Sequence, residues 1–303
     1  MIGARRLFVF GLGYSAQAFA RRVRIKGWRV AGTARTEAKA AALRDAGIEA
    51  FVFERGRKLP AGALAGTTHL LVSLPPDEAG DPAAAEHGGD VAGLPGLRWL
   101  GYLSTTGVYG DRGGEWVDER SGLHPTGKRQ EARVAAERAW LDLLRVGVPV
   151  HVYRLAGIYG PGRSVFDQLR EGTARRIVRP GQVFSRIHVD DIAATLEASI
   201  GAPDPGGVYN VSDDEPAAPA DVVAFAAALL GVEPPAEERY ERAQATMSEM
   251  ARSFWRDSKR VSNLRIKDAL RVRLAYPDYR AGLRAILDAE KRPKVPMGVP
   301  PMR

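Results

Sequence analysis

With 303 residues, of which 45% are hydrophobic and 26% charged, the chain is long enough for one large domain or two smaller ones. The absence of cysteine excludes disulfides, thiol catalysis and cysteine-ligated metals, and no segment approaches the ~18 apolar residues of a membrane span. The net charge of +8 comes with no aromatic-basic RNA motif, zinc finger or basic tail, so a basic pocket for an anionic ligand explains it better than nucleic acid.

The first predicted element is a strand that runs into a glycine turn and then a helix. Residues 7–10 are apolar, and the sequence GLGYSA of residues 11–16 leads from them into an alanine-rich segment. Gly11 permits the tight turn, Gly13 lets a pyrophosphate approach the backbone, and Ala16 is small enough for close helix–strand packing. The helix then directs free N–H groups at the phosphates. This order predicts a dinucleotide site, with a ligand-free glycine turn as the alternative.

The same segment has one competing interpretation, a secretory signal. Arg5 and Arg6 precede the apolar run, and residues 16–18 resemble a small-residue cleavage site. Two glycines interrupt the run, however, and cleavage would remove the first strand and its turn. A cytoplasmic location is therefore expected, which the absence of cysteine also fits.

A second strand, predicted over residues 27–35, completes a βαβ unit and selects the cofactor. A carboxylate at its end would accept a hydrogen bond from the ribose 2′-hydroxyl of NAD. This chain has Ala34, which leaves room, and Arg35, which can bind a 2′-phosphate through two N–H groups. NADP is therefore predicted over NAD. A solvated loop charge is the alternative role for Arg35.

Strand and helix patterns alternate through the first two thirds of the chain. The remaining strands are predicted over residues 48–53, 69–74, 97–104, 148–155 and 208–211. The remaining helices are predicted over residues 36–46, 131–145, 190–199 and 220–230. Val134, Leu141 and Leu144 are expected on the buried face of the helix over residues 131–145, an aspartate is expected to cap the helix over residues 190–199, and residues 77–96 hold a short helix at most.

This alternation predicts an α/β fold, a Rossmann-type doubly wound parallel sheet with a smaller C-terminal substrate-side region. The nucleotide-binding domain is assigned to residues 1–160 and 182–211, and the substrate-side region to residues 161–181 and 212–290. Residues 291–303 carry four prolines and are expected to form an extended or disordered tail.

Further motifs follow one another along the chain. They are LSTTGVYG at residues 103–110, VDE at 117–119 with Pro125, RLAGIYGPG at 154–162, RIHVDD at 186–191 and VYNV at 208–211. Together they resemble the extended short-chain dehydrogenase/reductase superfamily, the group of the NAD-dependent epimerases and dehydratases. The resemblance covers residues 5 to 290, with the motifs in the order found in that family.

The resemblance implies a Ser/Thr that binds the substrate oxygen, here Thr105, and a Tyr-x-x-x-Lys pair that supplies the acid/base. The family frame Pro-x-x-x-Tyr-x-x-x-Lys-x-x-x-Glu reads Pro125, Arg129, Arg133 and Glu137 in this chain. Arginine does not deprotonate in proteins, so Arg129 is expected to be a fixed cation and Arg133 a ribose or phosphate contact. The chain therefore resembles the atypical members that lack the Tyr-x-x-x-Lys pair, as do its KRVSN and YPDYR segments at residues 259–263 and 276–280.

The predicted site combines three sets of residues. Its catalytic residues are Thr105, Arg129 and Arg133. The expected cofactor contacts are Gly11, Gly13, Tyr14, Ser15, Ala16, Arg35, Ser73 and Leu74. The expected substrate contacts are Tyr109 and Arg186. Tyr109, Asp118, Glu119 and His188 are weaker candidates for the missing acid/base, and no histidine spacing predicts a metal.

The predicted function is that of an NADP(H)-dependent oxidoreductase or epimerase/dehydratase acting on a small polar molecule, for which a sugar nucleotide is one candidate. The alternative is a non-catalytic NADP(H) sensor or regulatory protein, which the loss of tyrosine and lysine favours. A small-molecule substrate is the expected partner, with neither nucleic acid nor membrane, and a homodimer is expected by analogy with the superfamily.

Overall fold

The computed structural model describes residues 5–291, and the predicted tail after residue 291 lies outside them. Its strands are β1 (Arg6–Phe10), β2 (Arg29–Ala34), β3 (Glu49–Val52), β4 (His69–Val72), β5 (Trp99–Thr105), β6 (Trp116–Val117), β7 (Val150–Leu155), β8 (Gly157–Tyr159), β9 (Arg176–Val178), β10 (Arg186–His188), β11 (Val208–Val211), β12 (Glu237–Arg239) and β13 (Arg260–Val261). Its α-helices are α1 (Tyr14–Ile25), α2 (Glu37–Asp45), α3 (Pro82–Ala92), α4 (Lys128–Leu141), α5 (Val165–Arg170), α6 (Val189–Gly201), α7 (Pro219–Leu230), α8 (Tyr240–Ala243), α9 (Glu249–Arg256), α10 (Leu264–Asp268) and α11 (Tyr279–Lys291).

The centre of the fold is a seven-stranded sheet in the order β11-β7-β5-β4-β1-β2-β3. Every neighbouring pair in it is parallel. This confirms the predicted Rossmann-type α/β sheet. The strand order reverses between β1 and β4, and in such sheets ligands bind in the crevice beyond the carboxyl ends of the strands at that point. The fold therefore places the candidate site where β1, β4 and β5 end.

Both faces of the sheet are buried, as β1 illustrates. Leu7 and Val9 point into one hydrophobic cluster with residues of α1 and α6. Phe8 and Phe10 point into a second cluster, which includes Trp140 of α4. A strand with no solvated face reads as a continuous apolar run, and for this reason residues 7–10 were recognisable in the sequence.

The sequence patterns predicted too short a helix for α3 and the wrong bounds for α4. Residues 77–96 contain α3, which spans 11 residues, because Asp81 caps it by accepting from Ala84 N and Pro82 suits its first turn. Its two glycines hide that helix in the sequence pattern. The predicted helix over residues 131–145 begins at Lys128 and gives way to a 3-10 turn after Leu141.

The buried face of α4 also differs from the prediction. Val134 is buried as expected, but Leu141 and Leu144 are only half-buried, whereas Glu137 and Trp140 are fully buried. A carboxylate on the inner face breaks the apolar periodicity on which the prediction rested.

The predicted aspartate cap of α6 is also wrong. The N-cap is His188, whose Nδ1 accepts from Asp190 N at 3.2 Å. Asp191 instead accepts from the backbone N–H groups of Ala275 and Tyr276. It therefore links α6 to the C-terminal segment.

The rest of the chain forms smaller units beside the sheet. Three two-stranded parallel pairs join β8 to β10, β9 to β12 and β6 to β13. Tyr159, Phe166 and Tyr279 form the centre of a separate hydrophobic cluster that α5, α7 and α11 share. The division into a nucleotide-binding domain and a substrate-side region stays a prediction. Within residues 5–291, no helix is long and apolar enough to cross a membrane.

Candidate functional site

The glycine turn lies between β1 and α1, at the carboxyl edge of the sheet. Gly11 has a φ of +86°, and a Cβ there would lie 2.7 Å from the side chain of Leu74, so only glycine fits. Thr33, in β2, fixes the turn: its Oγ1 accepts from Gly11 N and its carbonyl oxygen from Leu12 N, both at 2.8 Å. Sequence reasoning missed Thr33, although it lies one residue before Ala34.

At Gly13, neither the backbone angle nor a neighbouring atom explains why the residue is glycine. Its φ of −85° suits any residue, and the nearest atom to an added Cβ is Gly11 O at 3.9 Å. It caps α1 without a side-chain hydrogen bond, and the first backbone bond across the helix start joins Gln17 N to Gly13 O. The N–H groups of Tyr14, Ser15 and Ala16 therefore precede the first i to i−4 bond of the helix and have no acceptor within it. This arrangement is suited to an anion.

The side chain of Tyr14 has a different role from its backbone. Its hydroxyl donates to Pro161 O at 3.0 Å, and its ring lies beneath the guanidinium of Arg163, 5.7 Å from it. Burial raises the pKa of Tyr14, so the phenol stays a neutral donor. Tyr14 thus ties the start of α1 to the turn that follows β8.

Arg35 follows the buried Ala34 at the end of β2 and is exposed. Among the described residues its guanidinium forms neither an ion pair nor a hydrogen bond. Thr36 caps the adjacent helix by accepting from Lys39 N. Within the described residues, Arg35, which is predicted to select the cofactor, therefore carries an unpaired positive charge beside the small residue Ala34.

Ser73 and Leu74 extend β4 beyond its regular end. Ser73 N donates to Phe10 O at 2.9 Å, which keeps the segment alongside β1. Leu74 packs against Gly11, and its carbonyl oxygen lies 3.4 Å from Arg133 Nη1. Both predicted cofactor contacts therefore adjoin the glycine turn.

The three predicted catalytic residues lie in different settings. Thr105 ends β5, and its Oγ1 accepts from Gly107 N at 3.1 Å, which leaves the hydroxyl proton free to be donated. Arg133 donates through Nη1 to Leu103 O at 2.8 Å, so its guanidinium lies between the ends of β4 and β5. Arg129 is exposed one turn earlier in α4, and it has no hydrogen-bond or ion-pair partner within residues 5–291.

A buried polar network lies directly behind Thr105. Glu137 and Arg154 form a two-point ion pair, with distances of 2.8 Å between Nη2 and Oε2 and 3.1 Å between Nε and Oε1. Their side chains are 3% and 6% exposed. Ser104 donates its hydroxyl to the same carboxylate. The family's glutamate position therefore joins α4 to β5 and β7.

Loss of this pair should destabilise the fold strongly. Replacing Glu137 with alanine leaves Arg154 charged and buried without its partner, and we expect a cost of about 3–5 kcal/mol in the free energy of unfolding. Urea unfolding followed by circular dichroism measures it. The double variant Glu137→Leu/Arg154→Met should cost less than Glu137→Ala alone, because no orphaned charge remains. A larger cost for the double variant would contradict this account.

Tyr109 requires a correction. It is fully buried, its hydroxyl donates to Asn210 Oδ1 at 2.7 Å, and the same oxygen accepts from Arg154 Nη1 at 2.9 Å. Burial also raises the pKa of Tyr109. Tyr109 extends the Glu137–Arg154 network and cannot reach a substrate or act as the acid/base in this structure. The motif around it gave no sign of where its hydroxyl would point.

Arg186 lies away from Thr105, on β10. Its Nη1 donates to Phe184 O at 2.8 Å and Ala217 O at 3.2 Å. These bonds join the segment just before β10 to the segment just before α7. Contact with a substrate stays a prediction for Arg186.

The weaker acid/base candidates Asp118, Glu119 and His188 each accept a hydrogen bond from a backbone N–H group. Asp118 accepts from Ser121 N at 2.9 Å, and Glu119 accepts from Asn210 N at 2.7 Å. His188 caps α6, as described above. Within the described chain, no group of three or more His, Cys, Asp and Glu side chains could hold a metal ion.

One cluster near Thr105 was not predicted from the sequence. Lys259 Nζ donates to Gly110 O at 2.7 Å and lies 3.4 Å from Asp257 Oδ2. Asp257 also accepts from Thr126 Oγ1 at 2.9 Å and from Gln130 Nε2 at 3.2 Å. The KRVSN segment at residues 259–263, which includes Lys259, stood out in the sequence as part of the resemblance. Its pattern alone did not indicate a position near α4.

This cluster adjoins the end of β5. A Cβ on Gly107 would lie 3.3 Å from Thr105 Oγ1 and 3.4 Å from Gln130 Cγ, so the two side chains border one small space. Burial lowers the pKa of Lys259, and neighbouring Asp257 opposes that shift. An ammonium group whose pKa is lowered by burial therefore lies in the cluster that Gln130 joins to the end of β5.

Comparison with solved structures defines the class of fold. Human epimerase family protein SDR39U1, solved with NADPH, superposes with a TM-score of 0.70 at 17% identity, over 93% of this chain and 99% of that one. Other structures of this fold, below 25% identity, include a dehydratase and an epimerase solved in complex with NAD. These structures share the overall fold of this chain, which agrees with the predicted Rossmann-type α/β architecture.

A nearer relative defines the family. A functionally unknown conserved protein from Silicibacter pomeroyi is 47% identical, with a TM-score of 0.87 over 95% of this chain and all of that one. The chain belongs to the same family as that protein. Protein YeeZ of Escherichia coli is 28% identical over 256 residues, 76% of this chain and 86% of YeeZ. No protein-family model matches the chain.

Proposed function

We propose that this protein binds NADP(H) and acts as an oxidoreductase or epimerase/dehydratase on a small polar substrate, for which a sugar nucleotide is one candidate. The observation that carries the proposal is the open space at Gly13, in front of the free N–H groups that begin α1. Gly13 lies at the start of the first helix of a Rossmann-type fold, where neighbouring atoms do not require glycine. A pyrophosphate that approaches the backbone would explain it.

The residues around this space fit a dinucleotide. The N–H groups of Tyr14, Ser15 and Ala16 would hold the pyrophosphate, and Arg133 would contact the nicotinamide ribose. Arg35 would bind the 2′-phosphate, which favours NADPH over NADH. SDR39U1 was solved with NADPH and other neighbours with NAD, so the fold accommodates both. When bound, NADPH supplies a hydride equivalent.

The chain's own side chains supply the rest of the chemistry. The Thr105 hydroxyl can donate to a substrate oxygen, and Arg129 can hold that oxygen by its charge. Neither side chain is suited to general acid/base catalysis. Lys259, whose pKa burial lowers, is the candidate acid/base in the cluster that contains Asp257 and Gln130.

A second candidate function is a non-catalytic NADP(H) sensor or regulator. The contacts and exposure of Arg133 and Arg129 favour it. Arg133 binds the backbone carbonyl of Leu103, and Arg129 is exposed in place of the family's tyrosine. A homodimer and a cytoplasmic location stay predictions under either candidate.

Two measurements, made one after the other, distinguish these two candidate functions. NADPH titrated into the protein should quench its tryptophan fluorescence with saturation, because the site is preformed. NADPH oxidation is then followed at 340 nm against panels of carbonyl compounds and sugar nucleotides, with Thr105→Val as the matched control. We expect turnover with one class that falls at least about 100-fold in the control.

Absence of NADPH binding would overturn both candidates. Saturable binding with no turnover on any panel member would favour the sensor over the enzyme. Turnover that Thr105→Val leaves unchanged would remove Thr105 from the mechanism.

A further inference from the structure

The turn after β8 lies against the start of α1. Gly160 and Arg163 close it with two backbone hydrogen bonds, Gly160 N to Arg163 O at 3.1 Å and Arg163 N to Gly160 O at 3.0 Å. Within it, Pro161 O accepts from the hydroxyl of Tyr14. The approach is close, since a Cβ on Gly160 would lie 2.5 Å from the Tyr14 oxygen. The turn is therefore held beside the free N–H groups of α1.

The side chain of Arg163 is exposed and has no ionic partner in the described part of the chain. Its guanidinium lies 5.7 Å from the centre of the Tyr14 ring. The nearest carboxylate in the sequence, Asp167, is already engaged, because it accepts from Ser164 N at 2.7 Å in the cap of α5. A cation placed over an aromatic ring gains modest stabilisation, and most of its hydrogen-bonding capacity stays unused.

Two sources of positive potential thus meet at one place. The first is the start of α1, with its unpaired N–H groups and helix dipole. The second is the unpaired guanidinium of Arg163, which the turn after β8 brings to the other side of Tyr14. Together they give this place a positive potential, which suits a phosphate-like ligand.

We infer that Arg163 binds the pyrophosphate of the dinucleotide, from the side opposite the glycine turn. This inference rests on the proposed NADP(H) binding and adds a cofactor contact from outside the βαβ unit. Arginine suits the role because its planar guanidinium can donate two parallel N–H bonds to a phosphate. The Tyr14 ring beneath it holds the guanidinium near the bound position before the cofactor arrives.

The test compares three ligands on the full-length Arg163→Ala variant. NADPH and NADH both carry the pyrophosphate, whereas adenosine 2′-monophosphate carries only the 2′-phosphate. We expect the dissociation constants of NADPH and NADH to rise by the same factor, about 10- to 100-fold, because both lose the same charge-assisted contact. Adenosine 2′-monophosphate, measured by competition against NADPH, should bind as it does to the wild type.

Two further variants serve as controls. Arg145→Ala removes an arginine that is 84% exposed in the turn after α4, and it should change none of the three affinities. Arg163→Lys keeps the charge without the planar fork and should recover part of the dinucleotide affinity. Thermal unfolding without ligand should be the same for all variants, since Arg163 holds no other side chain by an ion pair among residues 5–291.

Each outcome bears on the inference in a defined way. Unchanged affinity for both dinucleotides would overturn it and leave Arg163 for a substrate anion. An equal loss for all three ligands would also overturn it, because that pattern indicates a disturbed start of α1. If the wild type binds neither dinucleotide, the proposed function fails first and the inference fails with it.

Discussion

Replacing Gly13 with valine should abolish the binding of NADPH and NADH alike while the protein remains folded. The backbone at Gly13 has a φ of −85°, and an added Cβ meets no atom nearer than 3.9 Å, so the apoprotein has room for the side chain. Loss of a glycine N-cap costs no more than about 1 kcal/mol. The same space is where the pyrophosphate must lie, and the valine methyl groups would occupy it. We expect dissociation constants at least about 1,000-fold higher, a loss of roughly 4 kcal/mol.

Fluorescence titration and thermal unfolding together measure this effect. Gly96→Val is the matched control, because an added Cβ at Gly96, in a turn before β5, meets no atom within 4 Å. The control should bind both dinucleotides as the wild type does. If Gly13→Val binds NADPH with unchanged affinity and an unchanged melting temperature, the glycine turn does not hold a cofactor.

Local patterns in the sequence were sufficient for the sheet and for the glycine turn. The buried strands β1 and β4 are continuous apolar runs, and Gly11 precedes a helix whose small residues allow close packing. The Pro125 to Glu137 frame placed Arg133 one helical turn and Glu137 about two turns after Arg129, and α4 has that register. Each of these features depends on residues near one another in the chain, so the sequence pattern carries them.

Contacts between distant segments could not be predicted in this way. The hydroxyl of Tyr109 points at Asn210, 101 positions later, and the motif around Tyr109 is the same whether that hydroxyl is buried or exposed. Asp257 reaches Gln130 across 127 positions. Arg163 meets Tyr14 only because the turn after β8 folds over the start of α1. The sequence contained every one of these residues, but tertiary packing decides which of them adjoin the site.

The second large effect concerns the choice between the two cofactors. Arg35→Asp should weaken NADPH binding by about 100-fold or more, because it replaces a cation with a carboxylate that repels the 2′-phosphate. NADH affinity should be retained or improved, since the new carboxylate can accept a hydrogen bond from the ribose 2′-hydroxyl. Arg35 is exposed and has no partner within residues 5–291, so the substitution should cost little stability.

The matched control is Arg29→Asp, which makes the same change in charge at the exposed opposite end of β2. A general electrostatic effect of lowering the net charge by two units would weaken NADPH binding in both variants and would depend on ionic strength in the same way. A contact with the 2′-phosphate predicts instead that only Arg35→Asp changes the ratio of the NADPH and NADH dissociation constants. An equal loss of both cofactors in Arg35→Asp would refute the phosphate role. The cofactor preference would then have to come from residues beyond the end of β2, since Ala34 supplies space but no charge.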